Sequence, residues 1–394
     1  MFCGFFISAD YAIVRPASHS IFIHYHGVEL FPYVWLLSVP MSLAFVSLYN
    51  YFLSRLGCLK MFFVTAGTII LGNVLVFVFI DREPWVSFVF YLWKDAYVML
   101  MFQQLWSVIH THVEQKKARF LYGIIFGIGA LGGFAGSMFT RSFAVELGSE
   151  TLLLSTAPLY VVLGVLYYAM LKNAMHVEQK IEKEVSTSLW DSVKVIRESR
   201  LLLCILGMVT FMQLAAALTD FQFSTLLSER IPEKDLRTAY LGKLLSYGNI
   251  LTMTFQFVGT YILIHFLGLY RSHLLVPVIL GTNALFFIAF PSFGLMSYNF
   301  IVLKCLDFSL FSVIKEMLYI PLGVEQKFRA KAIIDVFMYR GAKVLASAGI
   351  LGLQFALPSL IIPLISWMNI AIFLGWGFVV GLIKYSYQPT EQKA

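Results

Sequence analysis

Residues 304–347 read KCLDFSLFSVIKEMLYIPLGVEQKFRAKAIIDVFMYRGAKVLAS, an apolar sequence that charged side chains interrupt at intervals. The charges that organise this stretch are Lys304, Asp307, Lys315, Glu316, Lys327, Lys331, Asp335, Arg340 and Lys343. Charged groups are expensive in lipid, so these side chains should face protein or water. On a regular helix, Lys304, Asp307 and Lys315 line one face along roughly 16 Å of axis.

A second polar stripe follows the loop at Gly323. It begins with Lys331 and Asp335, which stand four residues apart, and continues through Arg340 and Lys343. Two helices that carry cations and are joined by a short loop predict a binding site for an anion.

Hydropathy places the whole chain in a membrane. Of its 394 residues, 59% are hydrophobic and 13% are charged, and the mean hydropathy is +0.79, far from the soluble average. Windows of about twenty apolar residues recur along the chain and give about twelve spans. The sequence therefore predicts an all-α membrane protein with about twelve transmembrane helices. The first window, residues 2–17, has no basic segment before it, so we expect a retained helix and not a cleaved signal peptide.

The net charge of +7 is explained better by membrane topology than by binding to nucleic acid. With the N-terminus in the cytoplasm, the cytoplasmic loops and tail hold about eighteen Lys and Arg and the opposite loops about five. This distribution predicts cytoplasmic N- and C-termini, a lipid bilayer as partner and no nucleic acid. The largest basic cluster lies in residues 173–200, where a transporter of two halves has its linker.

The chain also carries an internal repeat with an offset of about 210 residues. The matched segments are Leu56-Gly57-Cys58-Leu59-Lys60 with Leu267-Gly268-Leu269-Tyr270-Arg271, Val113-Glu114-Gln115-Lys116 with Val324-Glu325-Gln326-Lys327, Asp10 with Asp220, and Lys94 with Lys304. This repeat predicts a major-facilitator-like 6 + 6 architecture. Its parts are an N-terminal six-helix bundle (1–172), a linker (173–200), a C-terminal bundle (201–385) and a tail (386–394).

Buried charges fall on the helices that line the central cavity of that architecture, which are the first, fourth, seventh and tenth. These charges are Asp10, Lys94, Asp95, Asp220, Lys304 and Asp307. The carboxylates can pair with lysines on neighbouring helices, and such pairing is compatible with a role in transport. We predict one cavity at the interface of the bundles.

Other motifs point to packing. The run Gly127-Ile128-Gly129-Ala130-Leu131-Gly132 matches a dinucleotide fingerprint, but it lies inside a span and is typical of close helix contact. The four cysteines are scattered, so we expect free thiols. The histidines lack clustered cysteines or carboxylates, which argues against a metal site. No Walker motif or nucleophile elbow occurs, so we expect no cofactor and no enzyme.

Lys315-Glu316-Met317-Leu318-Tyr319-Ile320-Pro321-Leu322 resembles a segment of the ATP/ADP translocase-type nucleotide transporters of plastids and obligate intracellular bacteria. The resemblance continues through Lys331-Ala332-Ile333-Ile334-Asp335 and the pair Arg340 and Lys343. Asp220 stands where the family has a glutamate. The first helix keeps only Arg15 of a charged family segment.

The resemblance implies a transporter of the bacterial inner membrane that exchanges nucleotides, most simply ATP for ADP, by alternating access. The functional unit would be a monomer. The substrate-binding residues would be Arg15, Lys94, Lys304, Lys315, Arg340 and Lys343. The coupling or charge-balancing residues would be Asp10, Asp95, Asp220, Asp307, Glu316 and Asp335. Arg15 has a second interpretation, as an interfacial anchor, and Lys315 has one as a gate with Glu316.

Two alternatives remain open at this point. One is proton-coupled import of another nucleotide or anionic metabolite, such as NAD, which the extra carboxylates favour. The other is a membrane scaffold without transport. Proton dependence of uptake tests the first, and the absence of saturable uptake identifies the second.

Overall fold

The structure is a computed structural model, and it describes residues 2–112, 115–174, 189–323, 326, 330–331, 333–334 and 338–386. The described elements are helices throughout. In chain order they are α1 (Phe2–His26), α2 (Phe31–Phe79), α3 (Trp85–His112), α4 (Gln115–Leu147), α5 (Ser149–Leu154), α6 (Ala157–Ala174), α7 (Leu189–Glu198), α8 (Arg200–Arg230), α9 (Lys234–Thr254), α10 (Thr260–Ala289), α11 (Phe293–Leu306), α12 (Ser312–Leu318), α13 (Tyr339–Ala356) and α14 (Ile361–Ser386). π-Helical turns at Phe255–Gly259 and Asp307–Phe311 connect α9 to α10 and α11 to α12.

Six of the described helical stretches are long and apolar enough to cross a membrane. They are Phe31–Phe79, Trp85–Trp106, Ser149–Met170, Arg200–Arg230, Lys234–Ala289 and Pro358–Ile383. The first and fifth have 49 and 56 residues, and about twenty residues suffice for one crossing. Each is therefore long enough to cross twice.

Gly57 and Gly268 divide these two long stretches. Gly57 has φ 75° and ψ 167°, and Gly268 has φ 76° and ψ 166°, a region of backbone space that is essentially open to glycine alone. The two glycines are equivalent in the 210-residue repeat, and the backbone makes the same turn at both. With these two stretches divided there, with α5–α6 and α11–α12 each taken as one span, and without the ten-residue α7, the described helices give the twelve spans expected from the sequence. The all-α, major-facilitator-like fold class is confirmed.

The chain forms two compact units. The first comprises residues 1–30, 37–182 and 227–250, and the second comprises residues 31–36, 183–226 and 251–394. The bundle boundaries expected from the sequence stay a prediction, and residues 175–188 of the linker and 387–394 of the tail lie outside the described residues.

Each unit has its own core of large apolar side chains. In the first, Val14, Phe62 and Tyr97 are fully buried, and in the second, Met212 and Trp376 are. Large apolar side chains also cover the surface, such as Phe266 at 77% and Phe355 at 78% exposure. In water such a surface would be unstable, but in a bilayer lipid covers it.

Glycines set how closely α1 and α4 approach. A Cβ on Gly132 would overlap the carbonyl of Phe5, and a Cβ on Gly136 would overlap the carbonyl of Ala9. The glycine-rich run of α4 is therefore a helix-packing surface. Its resemblance to a dinucleotide loop has no structural counterpart, because the run lies inside a continuous helix.

Candidate functional site

The second unit holds an ion pair between two helices. Lys304 in the last turn of α11 donates to Asp220 of α8, with Nζ 3.0 Å from Oδ2. The two side chains keep 16% and 22% of their surface exposed. The other oxygen of Asp220, Oδ1, is buried and has no hydrogen-bond partner in the described part of the chain. The pair is thus mostly buried, with a minor part of each side chain accessible to a ligand.

Asp307 follows Lys304 by three residues and is 7% exposed. It begins the π-helical turn Asp307–Phe311, and its neighbouring charges are Lys304, Lys315 and Asp220. A π turn takes one residue more than an α turn. The angle about the helix axis between Lys304 and Lys315 therefore differs from that of a regular α-helix, which the prediction of a common face assumed.

The end of α12 is more exposed. Glu316 forms an ion pair with Lys331, whose ammonium also lies 5.1 Å from the ring centroid of Tyr319. Lys315 is half-buried. In the structure, Glu316 of the predicted Lys315–Glu316 gate pair therefore forms its ion pair with Lys331.

Two residues of the second polar stripe, Arg340 and Lys343, lie on α13. Lys343 lies over the indole of Trp35, with Nζ 4.9 Å from the ring centroid, and Arg340 is half-buried. A cation above an aromatic face is attracted by the ring quadrupole. Asp335 lies outside the described residues.

In the first unit, Lys94 of α3 is 2% exposed. Its Nζ lies 3.2 Å from Oδ1 of Asp95 and 3.7 Å from the ring centroid of Tyr91. Lys94 and Lys304 are equivalent in the repeat, but they pair differently. Lys94 contacts its neighbour on the same helix, whereas Lys304 contacts another helix.

Asp10 of α1 is buried among hydroxyl groups. Tyr97 of α3 and Tyr160 of α6 donate to its Oδ2 at 3.0 and 2.8 Å. Its Oδ1 has no hydrogen-bond partner among the described residues. Tyrosines, and not a lysine, hold this carboxyl group. The tyrosines were not foreseen as site residues, because the chain has 20 Tyr and most are expected in interfacial belts.

Arg15 lies one turn further along α1. Its guanidinium is 5.7 Å from the ring centroid of Tyr11, and the side chain is half-buried. A stacked, half-buried guanidinium retains donors in its plane. Either of the two roles considered for Arg15 fits this position.

The predicted site residues therefore sort into two groups. In the second unit, Asp220 and Lys304 are joined in an ion pair, Asp307 lies beside it, and Lys315, Arg340 and Lys343 lie further along the chain. In the first unit, Asp10, Arg15, Lys94 and Asp95 lie on α1 and α3. Chemically, each unit holds a lysine that a carboxylate neutralises, Lys304 with Asp220 and Lys94 with Asp95. The partly exposed Lys304 can exchange that carboxylate for an anion.

The chain is similar to a family of nucleotide transporters and to several of its members. Residues 292–387 match the family model described as TLC ATP/ADP transporter. The chain is 25% identical over 339 residues to ADP,ATP carrier protein 4 of Rickettsia felis, with 76% of this chain and 65% of that protein covered. It is 25% identical over 356 residues to ADP,ATP carrier protein 3 of Rickettsia bellii, with 76% and 69% covered. The chain thus spans slightly less than two thirds of the first relative.

Solved structures share the fold. A crystal structure of the nucleoside transporter NupG superposes with a TM-score of 0.65 at 12% identity, covering 96% of this chain and 99% of that one. A bacterial homologue of the iron transporter ferroportin superposes with a TM-score of 0.61 at 14% identity, covering 98% of each. At such low identity these likenesses establish the fold alone.

Proposed function

We propose that this chain exchanges nucleotides, most simply ATP for ADP, across the bacterial inner membrane. Its resemblance to the ATP/ADP transporter family is confirmed. The substrate passes by alternating access, and the functional unit is a monomer with both termini in the cytoplasm. The substrate gradient drives the exchange.

One observation carries this proposal. The segment matched by the family model, residues 292–387, contains Lys304, Lys315, Arg340 and Lys343. Lys304 is held in a partly exposed ion pair with Asp220. A family-matched segment that presents a cation in an accessible, exchangeable pair is suited to a polyphosphate substrate.

The ion pair gives the exchange its physical basis. A nucleotide phosphate that reaches Lys304 competes with Asp220 for the same ammonium group. In the empty carrier the carboxylate neutralises the lysine, and a neutral pair costs less to enclose in a low-dielectric barrier than a lone charge. Lys94 and Asp95 offer the same neutralisation in the first unit.

The test is uptake of radiolabelled ATP by full-length protein in liposomes, with and without ADP inside. We expect saturable uptake that requires internal nucleotide. Lys304→Gln should lower it at least tenfold, since a hydrogen bond to a charged group contributes about 1.5–3 kcal/mol. Lys60→Gln, at an exposed lysine of α2, is the matched control and should leave uptake unchanged. The absence of saturable uptake of any nucleotide would support the non-transporting scaffold instead.

A second candidate, proton-coupled import of a nucleotide or another anionic metabolite, is favoured by Asp10. This carboxyl group is buried without an ion pair in the described residues, and its recorded partners are hydroxyl groups. A buried carboxyl that can bind and release a proton is a common relay element in transporters. Uptake into liposomes without internal nucleotide, driven by an imposed proton gradient and abolished by Asp10→Asn, would establish this mode and reject strict exchange.

A further inference from the structure

A cavity of about 590 Å³ lies in the first unit, where α4 ends and α9 begins. Basic side chains line it from three segments: Arg141 of α4, Arg230 of α8, and Lys243 of α9. Glu233 is the carboxylate in its lining, and Leu236 and Ile231 are among the apolar residues. Small-molecule sites have volumes of about 300–1,000 Å³, so this cavity can hold a whole polar headgroup and not merely an ion.

The basic residues of the cavity form no ion pair with a carboxylate in the described part of the chain. Within the described ranges, no carboxylate lies within 4.0 Å of Arg141, Arg230 or Lys243. Of the carboxylates nearby, Glu150 pairs with Lys234 and Asp235 accepts from Ser149. Three cations against one carboxylate leave an excess of two positive charges. All three cations are exposed, so an anion from outside the chain can reach them and supply the opposing charge.

The cavity is held in place by two close contacts. A Cβ on Gly242 would lie 2.7 Å from the backbone nitrogen of Arg141, so the glycine allows α9 to approach α4 and brings Lys243 near Arg141. On the other side, the buried guanidinium of Arg237 donates to the carbonyls of Ile231 and Pro232 at 3.1 and 2.8 Å. These bonds fix the turn that follows Arg230. These contacts hold the backbone segments that carry the three cations close together, so only the side chains must be ordered on binding.

The position of the cavity along the helices suits the membrane interface. Arg141 is six residues, about 9 Å, from the end of α4, and Lys243 is nine residues, about 14 Å, into α9. α4 has 33 residues, some thirteen more than the roughly twenty that span the hydrocarbon. Cations at that distance from the helix ends lie at headgroup level, and an exposed Leu236, at 44%, offers an apolar edge beside them.

We propose that Arg141, Arg230 and Lys243 form a binding site for a phosphate group, with the phosphodiester of an anionic phospholipid as one source and a soluble phosphate compound as the other. The guanidinium groups can each give two parallel hydrogen bonds to phosphate oxygens, and the lysine adds a third charge. The apolar edge fits the glycerol and upper acyl chain of a lipid. Binding at this site is separate from the transport pathway and does not depend on the proposed function.

The test uses the purified full-length protein in detergent and native mass spectrometry. Phosphatidylglycerol and phosphatidylcholine with the same acyl chains are titrated separately, and inorganic phosphate and ATP are added as competitors. We expect phosphatidylglycerol to bind at least tenfold more tightly than phosphatidylcholine. The double variant Arg141→Gln, Lys243→Gln should lose this preference, and Lys60→Gln, at an exposed lysine outside the cavity, should retain it.

A gain-of-binding variant separates the proposal from loss of folding. Glu233→Gln removes the one carboxylate among the described lining residues and should tighten phosphatidylglycerol binding by about threefold or more. Displacement of the lipid by millimolar phosphate or ATP identifies a soluble phosphate compound as the occupant, and resistance to it identifies the lipid. Equal binding of the two lipids together with no binding of phosphate or ATP would overturn the proposal. So would a loss in Lys60→Gln as large as that in the double variant.

Discussion

Asp220 and Lys304 form an ion pair across two helices of one unit, 3.0 Å apart, while the repeat-equivalent Lys94 pairs with its own sequence neighbour Asp95 at 3.2 Å. The repeat therefore conserves the positions of the cations but not their partners. Asp10, the equivalent of Asp220, is held by two tyrosine hydroxyls instead. The Lys304 side chain keeps 16% of its surface exposed and that of Lys94 only 3%, so a substrate phosphate can compete for Lys304 more readily. We infer that coupling lies in the second unit.

The first prediction follows from this asymmetry. Asp220→Asn removes the charge that neutralises Lys304 in the empty carrier, so we expect the requirement for internal nucleotide to weaken. The affinity for ATP should fall less than tenfold, about 1.4 kcal/mol, because Asp220 opposes the substrate charge. Efflux and uptake of labelled ATP are measured with and without nucleotide on the opposite side. Glu229→Gln, at an exposed carboxylate near the end of the same helix, is the control and should leave the requirement intact. An exchange requirement that Asp220→Asn also leaves intact would make Asp220 a packing residue.

The sequence predicted these charges better than their partners. Charged side chains are rare in membrane spans, so Asp10, Lys94, Asp220 and Lys304 stand out without a structure. Tyr97 and Tyr160 do not, because tyrosine is common in this chain. The π-helical turn at Asp307–Phe311 also cannot be predicted from a 3.6-residue hydrophobic period. The relative directions of Lys304 and Lys315 could therefore not be predicted from the sequence.

The second prediction concerns the carboxyl group of Asp10. Tyr160→Phe removes a hydroxyl that donates to it at 2.8 Å and should lower the free energy of unfolding by about 1.5–3 kcal/mol, as for other hydrogen bonds to a charged group. Tyr168→Phe, at a tyrosine that is 50% exposed, is the control and should change it by less than about 0.5 kcal/mol. Thermal unfolding in detergent measures both. Equal stability of the two variants would show that Asp10 does not need this donor.

The third prediction uses the two repeat-equivalent glycines. Gly57→Ala and Gly268→Ala should each cost about 1–3 kcal/mol, because alanine is strained at a φ of 75° or 76° with an extended ψ. No atom lies within 4 Å of a Cβ at either position, so the cost is one of the backbone alone. Gly67→Ala, in α2 with an ordinary φ and equal space, should instead stabilise the helix by up to about 1 kcal/mol. Unfolding midpoints that move in the same direction for all three would contradict this account.

The last prediction concerns a polar contact between the two sequence halves, within the first unit. Ser149 at the start of α5 donates from its backbone nitrogen and from Oγ to Oδ1 of Asp235, at 2.8 and 2.6 Å. The Ser149 Oγ also lies 2.8 Å from the Thr238 Oγ1. Ser149 belongs to the first half of the repeat and Asp235 to the second. Alternating access requires the halves to move against each other, so we expect this contact to break once in every transport cycle.

A reversible cross-link tests that expectation. The double variant Ser149→Cys, Asp235→Cys, in a background with Cys58→Ser to remove the half-buried native thiol, should form a disulfide on mild oxidation. ATP uptake should then fall at least tenfold and return on reduction, because the cross-link holds one state of the cycle. Each single cysteine variant is the control and should be insensitive to oxidation. Full uptake by cross-linked protein would show that Ser149 and Asp235 stay together throughout transport and that the opening movement lies elsewhere.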